Sequence, residues 1–185
     1  MNKIAVRQSV MVGVIAGIIF ACFSFGTYYS GISSFAGFTL IYTWIPVIMV
    51  LILIFGFNFR KKMGGFISFK EALQYALVAY LVYEIIYAIV TYILFVIIDP
   101  LLTQKLLDAI MKTTTDWMRS MGAPQAKIDE AIANANKQKV QTGIGNIVKG
   151  IAWSLIWDFA KSLLIAWIVK KDRPADLDFN PKPVI

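Results

Sequence analysis

Residues 72–98 read ALQYALVAYLVYEIIYAIVTYILFVII, and this stretch decides the fold. It carries a single charge, Glu84. A helix needs about 20 consecutive apolar residues to cross the hydrocarbon core of a bilayer. Barrel strands are shorter and alternate apolar with polar positions, so this run is too long and too continuous for one. Three other runs share its character. Residues 9–28 and 35–59 hold no charge, and residues 144–169 hold Lys149, Asp158 and Lys161. Composition agrees: 58% of the 185 residues are hydrophobic and 16% charged, against about 50% and 25% in a soluble domain. These numbers exclude disorder, collagen and coiled coil, and they argue against a single soluble domain.

The fold expected is all-α: an integral membrane four-helix bundle with an amphipathic helical hairpin inserted between its third and fourth spans. Residues 1–172 form one membrane domain, with helices at about 9–28, 35–59, 69–98 and 144–169 and an extramembrane hairpin at about 100–140. Residues 173–185 hold three prolines and no apolar face, the composition of a disordered tail.

Cations set the threading, because cytoplasmic loops carry the excess of Lys and Arg. Lys3 and Arg7 precede the first run, Arg60, Lys61, Lys62 and Lys70 lie between the second and third, and Lys170, Lys171, Arg173 and Lys182 follow the fourth. The link between the first two runs has none, and residues 99–143 are nearly balanced. Both termini are therefore expected in the cytoplasm. Tyr28, Tyr29 and Trp153 fall at the outer interface and Trp167 near the inner one, where amphipathic rings prefer to lie. The start resembles a signal peptide, but no A-x-A site follows, so the first run reads as a retained helix. Ile19-Phe20-Ala21-Cys22 departs from a lipoprotein box at the bulky Phe20, and Cys22 reads as a small packing residue.

Punctuation between the runs is legible. Gly64 and Gly65 allow a turn, and Ser68 and Glu71 have capping-box spacing, so Glu71 reads as structural. Asp99 is placed to cap the next helix with Pro100 at its first position. That helix, about 100–121, has an apolar stripe of Leu102, Leu106, Ile110, Trp117 and Met121, with charges on other faces. Gly122 stops it, and Pro124 opens a second helix carrying Ile128, Ala131, Ile132 and Ala135. Such a hairpin lies on the membrane surface, or its apolar faces pack on each other or on a partner. Pro46 falls inside the second run, where it kinks a helix and frees the Tyr42 carbonyl. In the first run Ser9, Gly13, Gly17 and Ala21 make a ridge of small residues. Gly13 and Gly17 suit close helix packing, in the chain or in a homo-oligomer.

Charges at membrane depth are the best functional clue, since each is expected to face protein or water. Counting ~1.5 Å per residue from the cation-rich ends puts Glu84 ~18 Å deep, Asp158 ~16 Å and Lys161 ~12 Å. Asp158 and Lys161 share a helix face with Gly150, Ser154, Ser162 and Ala166, and Glu84 sits on a stripe with Ala76, Tyr80, Ala88 and Tyr92. The two stripes are expected to meet and form a Glu84–Lys161–Asp158 cluster, with Tyr80, Tyr83, Tyr87, Ser154 and Ser162 as supporting polar groups. One reading is a structural ion-pair network whose spare lone pairs are satisfied by Tyr hydroxyls. The other is a proton or ion relay, because one Lys cannot neutralise two carboxylates. Lys149 lies near an interface and is expected to snorkel.

Signals for an enzyme are missing. The chain has no His and one Cys, and no P-loop, dinucleotide fingerprint, Ser/His/Asp set or zinc pattern appears. No cofactor, metal site or catalytic residue is expected. Despite a net charge of +7, basic and aromatic residues do not interleave as nucleic-acid platforms do.

Four apolar runs, a Gly65-Phe66-Ile67-Ser68-Phe69-Lys70-Glu71-Ala72 lead-in to the third helix, an Ile98-Asp99-Pro100 exit, a polar helical insert and a Lys-terminated last helix form a recognisable pattern. Over about residues 5–172 it resembles the bacterial "domain of unknown function 4199" family. The resemblance implies a multi-pass protein of the bacterial inner membrane. The family has no established activity, so no functional residues are carried over, and Asp158 and Lys161 fall outside its words. The expectation is a non-enzymatic structural or interaction component that engages lipid or a partner through the 100–140 hairpin. The alternative is a small ion- or proton-coupled transporter or channel subunit using Glu84, Asp158 and Lys161.

Overall fold

A computed structural model describes residues 3–140 and 144–172, with side chains from residue 5 except at 137–140, 144–149 and 151. The tail proposed for 173–185 and the Lys149 side chain lie outside the described residues. Among those described, every named element is helical: α1 (Lys3–Tyr29), α2 (Ile32–Trp44), α3 (Val47–Lys62), α4 (Phe69–Tyr92), α5 (Leu102–Ser120), α6 (Gln125–Val140) and α7 (Ile144–Val169). Three helices are long and apolar enough to cross a membrane, or four if the bent pair α2–α3 is one span.

The surface supports a lipid environment. Leu81, Ile85 and Ile89 on α4 and Ile156, Phe159 and Leu164 on α7 are exposed, while Glu84, Asp158 and Ser162 are buried. Water penalises a contiguous apolar surface of this kind, and lipid does not.

Helix α1 lies along α4, α4 along α7, and α3 reaches both α7 and α1. The glycine ridge of α1 faces α4: a Cβ added at Gly13 would sit 2.5 Å from the Ala79 carbonyl oxygen, and one at Gly17 2.5 Å from Ile86 Cδ1. This ridge is therefore used inside the chain. Cys22 is exposed instead of packed as the sequence suggested.

The second run differs from expectation. Instead of one kinked helix over 35–59, the chain breaks into α2 and α3, bent by 55°. Pro46 has no N–H for the Tyr42 carbonyl. The Val47 N–H turns to the Ile45 carbonyl at 2.7 Å, so Thr43 also loses the bond a continuous helix would give it. The helix restarts with Val50 N–H on the Pro46 carbonyl.

Other ends are closed locally. Gly64 and Gly122, at φ 84° and 73°, take the left-handed position after α3 and α5. Each helix ends in paired bonds from the next residues back to its last turn, Gly65 to Arg60 and Ala123 to Met118. Ser68 Oγ accepts from the Glu71 N–H, and Glu71 Oε2 accepts from the Ser68 N–H at 3.0 Å. This capping box starts α4. Past Tyr92 the helix widens into a π-helical turn, Ile93–Ile98. Asp99 does not cap α5 in the expected way. Its Oδ1 accepts from Leu101 N–H and its Oδ2 holds Lys105 at 2.7 Å, so Asp99-Pro100 forms a turn ahead of α5.

Contacts at the ends of the helices gather the cations. Arg60 donates to the Val169 carbonyl, Lys62 to Gln8 Oε1, and Ile67 pairs with Lys171 in a short antiparallel bridge. At the opposite end α5 packs on α2, and α6 folds back on α5. Leu102 and Ile128 are buried there, whereas Trp117 and Met121, from the apolar stripe, are 63% and 66% exposed.

Candidate functional site: a charged cleft beside a broken helix

A stripe at four-residue spacing on α4 starts at Ala76, and α4 packs along α7. Ala76, Tyr80 and Glu84 are buried, Ala88 half-buried and Tyr92 exposed. The matching face of α7 buries Asp158, Ser162 and Ala166 and half-buries Ser154. Small residues let these helices approach, and the approach brings the ionisable groups together. Lys161 Nζ lies 2.5 Å from Asp158 Oδ1 and 4.9 Å from the centre of the Tyr80 ring. Ser154 Oγ donates to Glu84 Oε2 at 3.2 Å. The Glu84 and Asp158 carboxyls are neighbours.

Burial is uneven. Glu84 is 8% and Asp158 3% exposed, while the Lys161 side chain is 33% exposed. The ammonium therefore sits at the open side of the cluster and the carboxyls at its closed side.

The cluster lines a cleft of about 630 Å³. Its opposite wall is the α2–α3 break, from Thr39 through Pro46 to Met49, and Trp153 and Trp157, both exposed, also line it. Broken helices at membrane depth are tolerated where they line a cavity, because their free carbonyls then have a polar surface to face.

The tyrosines behave differently from expectation. Tyr83 OH is hydrogen-bonded to Tyr42 OH, Tyr87 engages Thr91, and Tyr80 OH has no partner. None satisfies a carboxylate. Ser162 Oγ donates to its own helix, at the Asp158 carbonyl, so it braces α7 and leaves the cluster alone. Asp158 Oδ2 is also buried without a partner.

Sequence reasoning missed Tyr42 and Trp157 as cleft residues and assigned Trp153 only to the interface. Tyr42 was findable: it is the residue whose carbonyl Pro46 frees. Tyr42, Tyr83 and Tyr87 surround the Phe20 ring, at centroid distances of 5.2, 6.1 and 4.9 Å, and fix the cleft floor to α1. Ser68, Glu71, Asp99 and Pro100 lie away from the cleft, at helix ends. Gly13 and Gly17 lie on the far side of α4.

Among the described residues no group of three or more His, Cys, Asp or Glu could hold a metal ion. Residues 11–171 match the family described as "Protein of unknown function (DUF4199)". The chain belongs to DUF4199. The match runs from the first half of α1 to just past the end of α7, so it includes the cleft and the hairpin of this DUF4199 protein. No curated protein and no solved structure matches the chain.

Proposed function

We propose that this DUF4199 protein is a small ion- or proton-coupled transporter or channel subunit that works through the cleft. One observation carries the reading: three ionisable side chains and a broken helix converge on one cavity between helices apolar enough to cross a membrane. A structural ion pair needs neither the cavity nor the break. Glu84 and Asp158 are the exchanging groups, Lys161 is the mobile counter-charge, and the α2–α3 break supplies carbonyls and a hinge. No catalytic chemistry is assigned. The cations collected at one end support a bacterial inner membrane location with both termini cytoplasmic.

Proteoliposomes holding an internal pH dye test this reading. Wild-type vesicles are expected to collapse an imposed pH gradient faster than protein-free vesicles, and Glu84→Gln to return the rate to the protein-free level. A wild-type rate equal to that of empty vesicles, with either inward or outward gradients, rejects it.

A second reading has its own observation. The amphipathic α5–α6 hairpin leaves Trp117 and Met121 exposed at the end opposite the unbalanced cation clusters, which suits an interaction component that engages lipid or a partner protein. Crosslinking from position 117 separates the two, since capture of lipid alone removes the protein partner.

A further inference from the structure

We propose that the cleft is a binding site for an organic ammonium ion that carries at least one N–H, and that Lys161 is its built-in competitor. This rests on the cleft being the working site, and it adds the ligand class.

Unmet groups come first. Asp158 Oδ2 and Tyr80 OH are buried with no hydrogen-bond donor on them, the Glu84 carboxyl beside Asp158 being an acceptor too when ionised; their residues are 3% and 2% exposed, and both side chains line the cleft. Buried polar atoms are normally paired, so two orphans on one cavity call for an explanation. An N–H donor meets the carboxylate oxygen directly, and the Tyr80 hydroxyl oxygen can accept a second N–H. A quaternary ammonium has no N–H to offer either.

Charge and shape select the same class. Two carboxylates face one ammonium, so an anion is repelled. The walls are aromatic, with Tyr42, Tyr80, Trp153 and Trp157 among them, and ring faces attract a diffuse organic cation. The volume of about 630 Å³ falls in the range of small-molecule sites.

Lys161 displays the binding mode. Its ammonium lies 2.5 Å from Asp158 Oδ1 and over the Tyr80 ring at 4.9 Å. It is a primary alkylammonium tethered to the wall. Being a third exposed, it can swing toward the mouth when a free ammonium arrives. Its removal must then raise affinity, whereas a ligand that needs Lys161 would be lost.

The test is calorimetric titration of the full-length protein in detergent with benzylammonium. Benzyltrimethylammonium, benzyl alcohol and benzenesulfonate serve as matched probes without N–H, without charge and with reversed charge. Benzylammonium is expected to saturate and the other three to bind more weakly or not at all. Asp158→Asn should weaken benzylammonium by about tenfold, the size of one charge-assisted bond. Lys161→Gln should tighten it by a similar factor. Because either variant risks misfolding, thermal unfolding with and without benzylammonium is read alongside, and Lys161→Gln should gain more from the ligand than wild type does. No saturation in either wild type or Lys161→Gln overturns the proposal, as does a preference for benzenesulfonate or weaker binding by a folded Lys161→Gln. Proton flux without benzylammonium binding removes the ligand class and leaves the transport reading. Binding without flux does the reverse.

Discussion

Gly13→Leu is expected to abolish the folded protein, while Gly26→Leu should leave it intact. At Gly13 even a Cβ would stand 2.5 Å from the Ala79 carbonyl oxygen and 2.7 Å from Val82 Cβ. A backbone oxygen inside a helix cannot rotate aside, so α1 must lift off α4. That separation undoes the most extensive helix pairing among the described residues, and the Phe20 ring leaves the tyrosine floor with it. Overpacking in a core costs about 1–3 kcal/mol where neighbours can yield, and here the neighbour is main chain, so the cost exceeds that range. At Gly26 an added Cβ meets nothing within 4 Å. Gly17→Leu should fall close to Gly13→Leu, because Ile86 Cβ stands at 2.8 Å as well as the flexible Cδ1. Size-exclusion profiles and thermal unfolding in detergent read the result. A monodisperse Gly13→Leu with wild-type Tm would mean that α1 and α4 do not approach as described.

The second large effect is an asymmetry within one ion pair. Lys161→Ala should destabilise the protein more than Asp158→Ala does. Removing one partner of a buried pair costs about 3–5 kcal/mol, because the remaining charge is buried and uncompensated. Here the partners are buried unequally. Lys161→Ala strands Asp158, which is 3% exposed and has Glu84 beside it. Asp158→Ala strands Lys161, which is 33% exposed and can extend its long stem toward a more polar environment. The first variant should approach the upper part of that range and the second stay near or below its lower end. Thermal unfolding of both variants in one detergent checks the order. Equal losses would place Lys161 as deep as Asp158 and remove the basis for calling it mobile.

Much of this arrangement could be read from residue spacing. Four-residue repeats on α4 and α7 put Glu84 and Asp158 on facing stripes, with Lys161 three residues from Asp158 on the same face; Ser68 and Glu71 announced their capping box, and Gly13 and Gly17 marked a close approach. These are local or periodic signals, and helix geometry converts them directly into faces. Features that depend on where a backbone or hydroxyl group turns were not legible. Pro46 marks a disturbance in either case. Whether the helix merely bends or restarts depends on Val47 N–H turning to Ile45, which side-chain type does not encode. A tyrosine in an apolar run gives no hint of its hydroxyl partner, so Tyr42 on Tyr83 and the unpaired Tyr80 emerge only from packing. Asp99 had the right type and place for a cap. It bonds Leu101 and Lys105 in a turn between the π-helical segment at 93–98 and α5, and the apolar letters there carry no mark of that segment.

The central claim is that Glu84, Asp158 and Lys161 line a water-accessible cleft inside a membrane-spanning chain. Cysteine labelling in proteoliposomes tests it most directly. In a Cys22→Ser background, Ser154→Cys probes the cleft and Leu81→Cys the exposed lipid-facing side of α4. A membrane-impermeant thiol reagent should label position 154 and spare position 81. If both positions stay unlabelled, the cleft is a dry seam and the account fails; if both react equally, the helices do not lie in a bilayer as described.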